Sequence, residues 1–323
     1  MDVFKCIVCD GSFHEVDLIV SEKMFGLSGV FKYKKCLKCN TLQLTNPPNS
    51  LERFYPDTYY SLTEKVTNRN KISNWLRFQR DTFELGRFSL SGAVATILVP
   101  NLSFRYFRSM TNISRASRIL DVGCGSGQFL YNLKAHGFKS LTGIDPYMLD
   151  RKTTEVTGGL NLWAKELHQI NETYNLLIFN HVFEHLPNPN KTLLDAKKCI
   201  PIGGYILIRV PLSDSFAYAK YSENWVQLDA PRHYVLYTRR ALIDLFSKHG
   251  FLCLKQDDDS SDFQFWGSIL YQANEKLSPY ISNKTAVLNY FGRIRLLYFK
   301  MLSRLLNIFG RGDQGIFLFQ RIA

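Results

Sequence analysis

Three groups of residues in this 323-residue chain have types and spacings that suit chemistry: an aspartate followed by alternate glycines, a Glu-His pair at the end of an apolar run, and two Cys-x-x-Cys hooks. The first reads Asp121-Val122-Gly123-Cys124-Gly125-Ser126-Gly127-Gln128, between the strand-like Ile119-Leu120 and the helix-like Phe129 to Leu133. Alternate glycines at such a junction let a ligand press against bare backbone, because no Cβ stands in the way. The spacing is G-x-G-x-G. A dinucleotide fingerprint needs G-x-G-x-x-G, and Gln128 stands where its last glycine belongs. A carboxylate beside the glycines sits badly against a pyrophosphate but can receive the ammonium of an amino-acid moiety.

The hooks are Cys6-x-x-Cys9 and Cys36-x-x-Cys39. Two such turns present four thiolates to one tetrahedral zinc ion and leave no open position, so the predicted site is structural. Cys124, Cys199 and Cys253 read as buried free thiols, and no disulfide framework is visible.

The elements that must position these groups alternate strand and helix, which predicts an α/β, doubly wound sheet. Ser140 to Asp145 is a second strand ending in a carboxylate, placed to hydrogen-bond ribose hydroxyls. A third strand covers Gly159 to Trp163, and Glu166 beyond it is a candidate for an adenine edge. Tyr174 to Asn180 is an apolar fourth strand of the kind buried on both faces. Ligands of open α/β sheets lie beyond the carboxyl ends of the strands, so Asn180 and His181 face the bound molecule. A helix from Lys191, the strand Tyr205 to Val210, a helix from Arg239, and strands at Phe251 and Ile316 follow.

The glycine turn resembles motif I of the class I S-adenosylmethionine-dependent methyltransferases. The ribbon, Asn46-Pro47-Pro48, the Tyr-rich stretch Leu51 to Tyr60, Asn180-His181-Val182-Phe183-Glu184-His185-Leu186-Pro187 and Trp225-x-x-x-Asp229-Ala230-Pro231-Arg232-His233 are similar to bacterial sugar and surface-polysaccharide methyltransferases. The resemblance implies a seven-stranded Rossmann-like sheet whose last two strands pair antiparallel at one edge. It implies S-adenosylmethionine as cofactor, held by Asp121, Gly123, Gly125, Gly127, Asp145, Glu166, Asn180 and His181. It implies a nucleotide- or lipid-linked sugar as acceptor. His185 falls on the position of the family's histidine base, with His233 as the alternative base and Glu184 beside them; the other reading of His185 is a loop-orienting hydrogen bond. Arg232 suits a phosphate or carboxylate, and Trp225 and Tyr234 either stack on a sugar face or pack the lid, with packing the preferred reading for Trp225. These 323 residues show no counterpart of the large C-terminal domain of the sugar C-methyltransferases, so the substrates of that branch are not expected to carry over.

Rival readings are an RNA methyltransferase, a quinone-like small-molecule methyltransferase with a divalent ion at the Glu-His segment, and a non-catalytic cofactor-binding scaffold of a glycan assembly. The formal charge of +12 is no argument for nucleic acid, because the excess lies among apolar residues rather than in a polar groove. Six Lys/Arg and no Asp/Glu fall between Tyr280 and Arg311, where residues 287–309 form an apolar helix with Arg293, Lys300 and Arg304 on one stripe. That segment is read as buried, as peripheral membrane contact, or as another interface. No run approaches the roughly twenty apolar residues of a membrane span, and the N-terminus lacks a secretory pattern. The expectation is a cytoplasmic protein, with peripheral contact at the inner face of the membrane as an option. The domains are a zinc ribbon over 1–45, an aromatic and basic helical connector over 46–115, and the methyltransferase domain over 116–323 with a helical insertion at about 262–312. Asp257-Asp258-Asp259-Ser260 reads as a solvated acidic turn.

Overall fold

The structure is a computed structural model that describes residues 5–56, 71–99, 102–148, 154–156, 158–281 and 283–323. Tyr59 and Tyr60 of the aromatic stretch lie outside the described residues. Three short antiparallel strands open the chain: β1 (Leu18–Ser21), β2 (Val30–Lys35) and β3 (Leu42–Leu44). The connector contains the helices Lys71–Glu84 and Leu90–Leu98. Gly92 lets these two approach, since a Cβ there would come within 2.5 Å of Phe83 Cβ.

The main sheet then begins with β4 (Arg118–Val122), β5 (Ser140–Ile144), β6 (Thr154–Val156), β7 (Leu160–Trp163), β8 (Leu176–Asn180) and β9 (Tyr205–Pro211). After β10 (Val235–Leu236) it is completed by β11 (Phe251–Asp258) and β12 (Gln314–Arg321). The order is β11-β12-β9-β8-β4-β5-β7-β6. Strands β7, β5, β4, β8 and β9 run parallel, while β12 lies antiparallel between β9 and β11. This is the expected α/β seven-stranded arrangement with its antiparallel edge pair. The short β6, antiparallel to β7, is an addition the sequence reading did not include.

The central strands are covered on both faces, which is why their interiors are largely apolar, whereas the edge strand β11 leaves Leu252 and Leu254 exposed. Leu120, Val122, Leu177, Phe179, Ile206 and Ile208 enter one core, with Leu242 and Phe246 of the helix Arg239–Lys248. Their neighbours Ile119, Leu176, Ile178, Tyr205 and Leu207 enter the other, with Leu130 and Leu133 of the helix Gln128–Ala135. Successive side chains alternate across a strand, so each run feeds two cores.

The ribbon is not a separate body. Its Cys6, Val8 and Cys36 belong to the first core, and β10 pairs with β3 as the fourth strand of the ribbon sheet. Val20, Phe31, Tyr33 and Leu42 share a third core with Phe265, Leu270, Phe291 and Phe299 of the insertion. That insertion comprises helices Phe263–Gln272, Ser278–Ile281, Lys284–Phe291 and Arg293–Ile308. The last of these buries one side, through Phe299 and Ser303, and leaves the opposite side exposed. Burial therefore describes only half of it. Among the described residues no helix is long and apolar enough to cross a membrane.

The acidic run is not a solvated turn. Asp258 lies at the end of β11, where its Oδ2 meets Arg239 Nη2 at 2.6 Å and accepts from Gly312 N at 2.7 Å. Asp259 pairs with Arg209, and Asp257 accepts from the Tyr106 hydroxyl. The run pins the insertion's end to the sheet.

Candidate functional site

The glycine turn leaves the carboxyl end of β4 in left-handed conformations, with φ of 68° at Gly123, 51° at Gly125 and 75° at Gly127. A Cβ on Gly123 would come 2.4 Å from Val182 Cγ2, so this turn and the segment after β8 approach each other closely. Asp145, at the end of β5, ties the turn down: Oδ2 accepts from Gly125 N and Oδ1 from Tyr147 N, each at 2.9 Å. Each oxygen keeps a second lone pair for a ligand hydroxyl. Burial raises the Asp145 carboxyl above its ordinary value, against the pull of the two amides. Asp121 is more strongly affected: burial first, and then the charge of Asp145, push it up to about 8. Two carboxylates in one buried pocket call for a cation between them.

A cavity of about 750 Å³ opens beside this turn, large enough for a cofactor and part of an acceptor. Asp121, Gly123, Gly125, Asp145, Glu166, Asn180, His181 and His185 all line it. Gly127 does not line it, because it caps the helix Gln128–Ala135. Glu166 stands at the rim and makes a reciprocal capping box with Gln169.

At the end of β8 the chain turns through His181, held at φ 57°, into a single 3-10 turn, Phe183–His185. His185 Nδ1 lies 2.9 Å from the Arg232 carbonyl and 3.2 Å from the Tyr55 hydroxyl. A carbonyl only accepts, so Nδ1 carries the ring proton and Nε2 keeps the lone pair. Burial, and secondly His233, lower the His185 pKa to about 4, so the ring is neutral at pH 7. His233 packs edge-on against it with centroids 4.6 Å apart, and its own Nδ1 lies 2.7 Å from the Gln227 carbonyl.

Glu184 sits behind both rings with no exposed surface, and His181 Nδ1 lies 3.5 Å from its Oε1. Burial works to raise this carboxyl, but His181, His185 and His233 outweigh it and hold it below the usual range. Ligand atoms of Glu184, His185 and His233 lie within 4.8 Å of one another, a set able to share a proton or take a cation. The buried Glu184 lies close to His181 and His233 and is not among the residues that line the cavity.

Three expected acceptor-binding residues are not on the cavity wall. Arg232 is fully buried: it pairs with Asp229 at 2.6 Å and Glu22 at 2.8 Å, and donates to the Phe54 carbonyl. Its charge is spent on two internal carboxylates, which corrects the expected phosphate contact. Trp225 is fully buried, with Nε1 donating to Asp313 Oδ2 at 3.0 Å, so it packs the loop and stacks on no sugar. Tyr234 packs against two of the cores, clear of the cavity. His233 also lies off the wall, behind His185, as a consequence of the same loop.

Several residues of the cavity wall were missed. Tyr55 stacks on Tyr147 at 5.5 Å and touches His185; Leu51, Lys191 and Arg209 also line the cavity. The crowd of aromatics from Leu51 onward was the signal for Tyr55. Nothing in the sequence marked Tyr147 or Lys191.

The four N-terminal cysteines converge. Cys6 and Cys39 Sγ lie 3.7 Å apart, Cys9 and Cys36 Sγ 3.5 Å, and all four within 4.8 Å of one another. Sulfurs on one tetrahedral zinc are separated by roughly 3.8 Å, given a Zn–S bond of about 2.3 Å. A disulfide needs about 2.05 Å. The donor set fits zinc.

Residues 98–256 match a family model described as a methyltransferase domain. EEF1A lysine methyltransferase 2 of Danio rerio is 30% identical over 162 residues, covering 48% of this chain and 63% of that protein. A tRNA U34 carboxymethyltransferase of Helicobacter acinonychis is 29% identical over 108 residues, 30% of this chain and 41% of its own length. The chain thus spans less than two thirds of either relative. An S-adenosylmethionine dependent methyltransferase from Mesorhizobium loti aligns with 69% of this chain and 100% of its own at a TM-score of 0.45 and 14% identity. The match to the methyltransferase-domain family thus covers about half of this chain, residues 98–256.

Proposed function

We propose that this methyltransferase takes its methyl group from S-adenosylmethionine and delivers it to a nucleotide- or lipid-linked sugar in surface glycan assembly. Asp121 receives the cofactor's ammonium, the backbone at Gly123 and Gly125 admits its amino-acid moiety, Asp145 holds ribose hydroxyls, and Glu166 meets the adenine edge. The observation that carries the reading is the fixed tautomer of His185, whose lone pair at Nε2 remains on the ring of a cavity-lining residue.

Methyl transfer is an in-line displacement: the acceptor oxygen or carbon forms a bond to the methyl carbon as the C–S bond breaks. The bonding pair stays on sulfur, leaving a neutral thioether. His185 Nε2 takes the acceptor's proton, and Glu184 steadies the imidazolium that results. Alignment by the cavity supplies the rest. Cys6, Cys9, Cys36 and Cys39 would hold a zinc ion, which would keep the ribbon sheet closed, a structural role separate from the chemistry.

The cavity's charge supports a neutral or anionic acceptor. Among the described residues, its carboxylates are Asp121, Asp145, Glu166 and Asp195, and the last is paired with Lys198 at 2.7 Å. Three are committed to the cofactor, so a lysine ammonium would find no free partner, whereas Lys191 suits an anionic group. The test is transfer of labelled methyl groups to fractionated cell extract. Label in nucleotide sugars or lipid-linked glycans is expected. Label in RNA or protein would move the acceptor to the class named by the relatives, and no label with intact cofactor binding would favour a scaffold.

A further inference from the structure

The helix Arg293–Ile308 carries two apolar faces, and only one is used. Leu296, Phe299, Leu302 and Leu306 pack on the core shared by the ribbon and the insertion. Ile294, Leu297, Tyr298, Met301, Leu305 and Ile308 are all exposed, Ile294 at 87% and Ile308 at 78%. Their offsets from Ile294 are 3, 4, 7, 11 and 14, which at 3.6 residues per turn confines them to an arc of about 100°. Phe309 extends the same patch at 70% exposure. Scattered exposed apolar residues are ordinary, but a contiguous stripe of this kind marks an interaction surface.

The charges around the stripe identify what covers it. Arg293, Lys300 and Arg304 run along one flank, and Arg295 stands on the other; all are exposed. No acidic residue occurs from Lys276 to Gly312. A second copy docked on this face would set two basic rows against each other, and the segment itself supplies no carboxylate to separate them, Asp262 near Lys300 lying outside it. A surface of anionic lipid headgroups offers the opposite sign in the same plane, with acyl chains beneath to receive the six side chains.

We propose that this helix lies in the plane of an anionic membrane surface, with Ile294, Leu297, Tyr298, Met301, Leu305 and Ile308 inserted and the basic flank among the headgroups. The inference rests on the exposed face alone and holds whatever acceptor the cavity takes. It places the chain at the bilayer surface without a spanning helix.

The test uses the full chain and vesicles of phosphatidylcholine, with and without phosphatidylglycerol. Co-sedimentation with the anionic vesicles is expected, weak on the neutral ones and falling with added salt. Met301→Asp combined with Leu305→Asp should abolish it. Lys300→Glu with Arg304→Glu should weaken it at least about tenfold, at roughly 1 kcal/mol per basic residue. These side chains are solvent-facing, so melting temperature and S-adenosylhomocysteine affinity should be unchanged in both variants. The inference is overturned if the wild-type chain ignores anionic vesicles, or if the aspartate pair binds them as well as wild type. A wild-type dimer in sedimentation equilibrium that the aspartate pair converts to monomer, without vesicle binding, would assign the face to a second copy.

Discussion

The Arg232 carbonyl oxygen fixes the His185 ring at 2.9 Å, while the guanidinium of the same residue is locked between Glu22 and Asp229. One buried arginine thus joins the ribbon, through Glu22, to the proposed base. Removing it leaves two buried carboxylates without their counter-charge, which costs about 3–5 kcal/mol in comparable pairs. Arg232→Ala should lower stability by that order in urea unfolding and should also reduce turnover of whatever remains folded. A change below about 1 kcal/mol would mean the arginine is not the anchor described here.

Asp121 is held up to about 8 by burial and by Asp145, so at pH 7 the carboxyl is mostly protonated. An ammonium arriving beside it favours the charged form and drives the proton off. S-adenosylhomocysteine binding should therefore release up to about one proton at pH 7, and affinity should rise with pH toward about 8. Calorimetry in buffers of different ionisation enthalpy measures this directly. Buffer-independent heats would take Asp121 out of the ammonium site.

Asp145→Ala removes the acceptor for two backbone amides as well as the proposed ribose contact. Charge-assisted bonds of this kind are worth roughly 1.5–3 kcal/mol each, so cofactor affinity should fall at least about tenfold. Unaltered calorimetric affinity would show that the turn holds its shape without Asp145.

His185→Ala should lower turnover by about 10²–10⁴ while cofactor affinity stays nearly constant. His233→Ala should do less, because His233 reaches the cavity only through the face of His185. The opposite ranking would make His233 the base. The His185 pKa lies below its unfolded value, so the unfolded chain binds the extra proton between about 6.5 and about 4. Stability contributed by the neutral ring is present above that window and lost as pH falls through it. In the His185→Ala variant this part of the acid dependence should be absent.

The sheet was readable because its central strands are buried on both faces: the interiors of β4, β8 and β9, Ile119-Leu120, Leu176 to Phe179 and Ile206 to Ile208, are apolar runs. That Asp121, Asp145 and His185 come together on one cavity was legible for the same reason, since they sit at or just past strand ends of a doubly wound sheet. What could not be read is pairing at long range. Arg232 looks like a phosphate clamp in isolation, and only the arrival of Glu22, from 210 residues earlier in the chain, turns it inward. Trp225 is decided by Asp313 in the same way. The exposed stripe at residues 294–308 had the right period, but periodicity cannot say which of two apolar faces finds a core.

Purified under reducing conditions, the chain should contain one tightly held zinc per molecule, which metal analysis will count. Cys36→Ser should lose it and destabilise the ribbon sheet. Because β10 belongs to that sheet and begins two residues after His233, the same variant should also raise the apparent KM for acceptor more than it weakens S-adenosylhomocysteine binding. Metal-free wild-type protein with full stability would overturn the zinc assignment.

The pairing of β3 with β10 also bears on how the chain is made. Leu42 meets Leu236, so the ribbon's last edge has no partner until about 190 further residues have left the ribosome. Until then the backbone groups of β3 form an open strand edge, a template for wrong pairing. Contacts this distant along the chain slow folding. Metal capture by the cysteines of residues 6–39 needs no such wait, so early zinc binding would hold the N-terminal strands in register while synthesis proceeds.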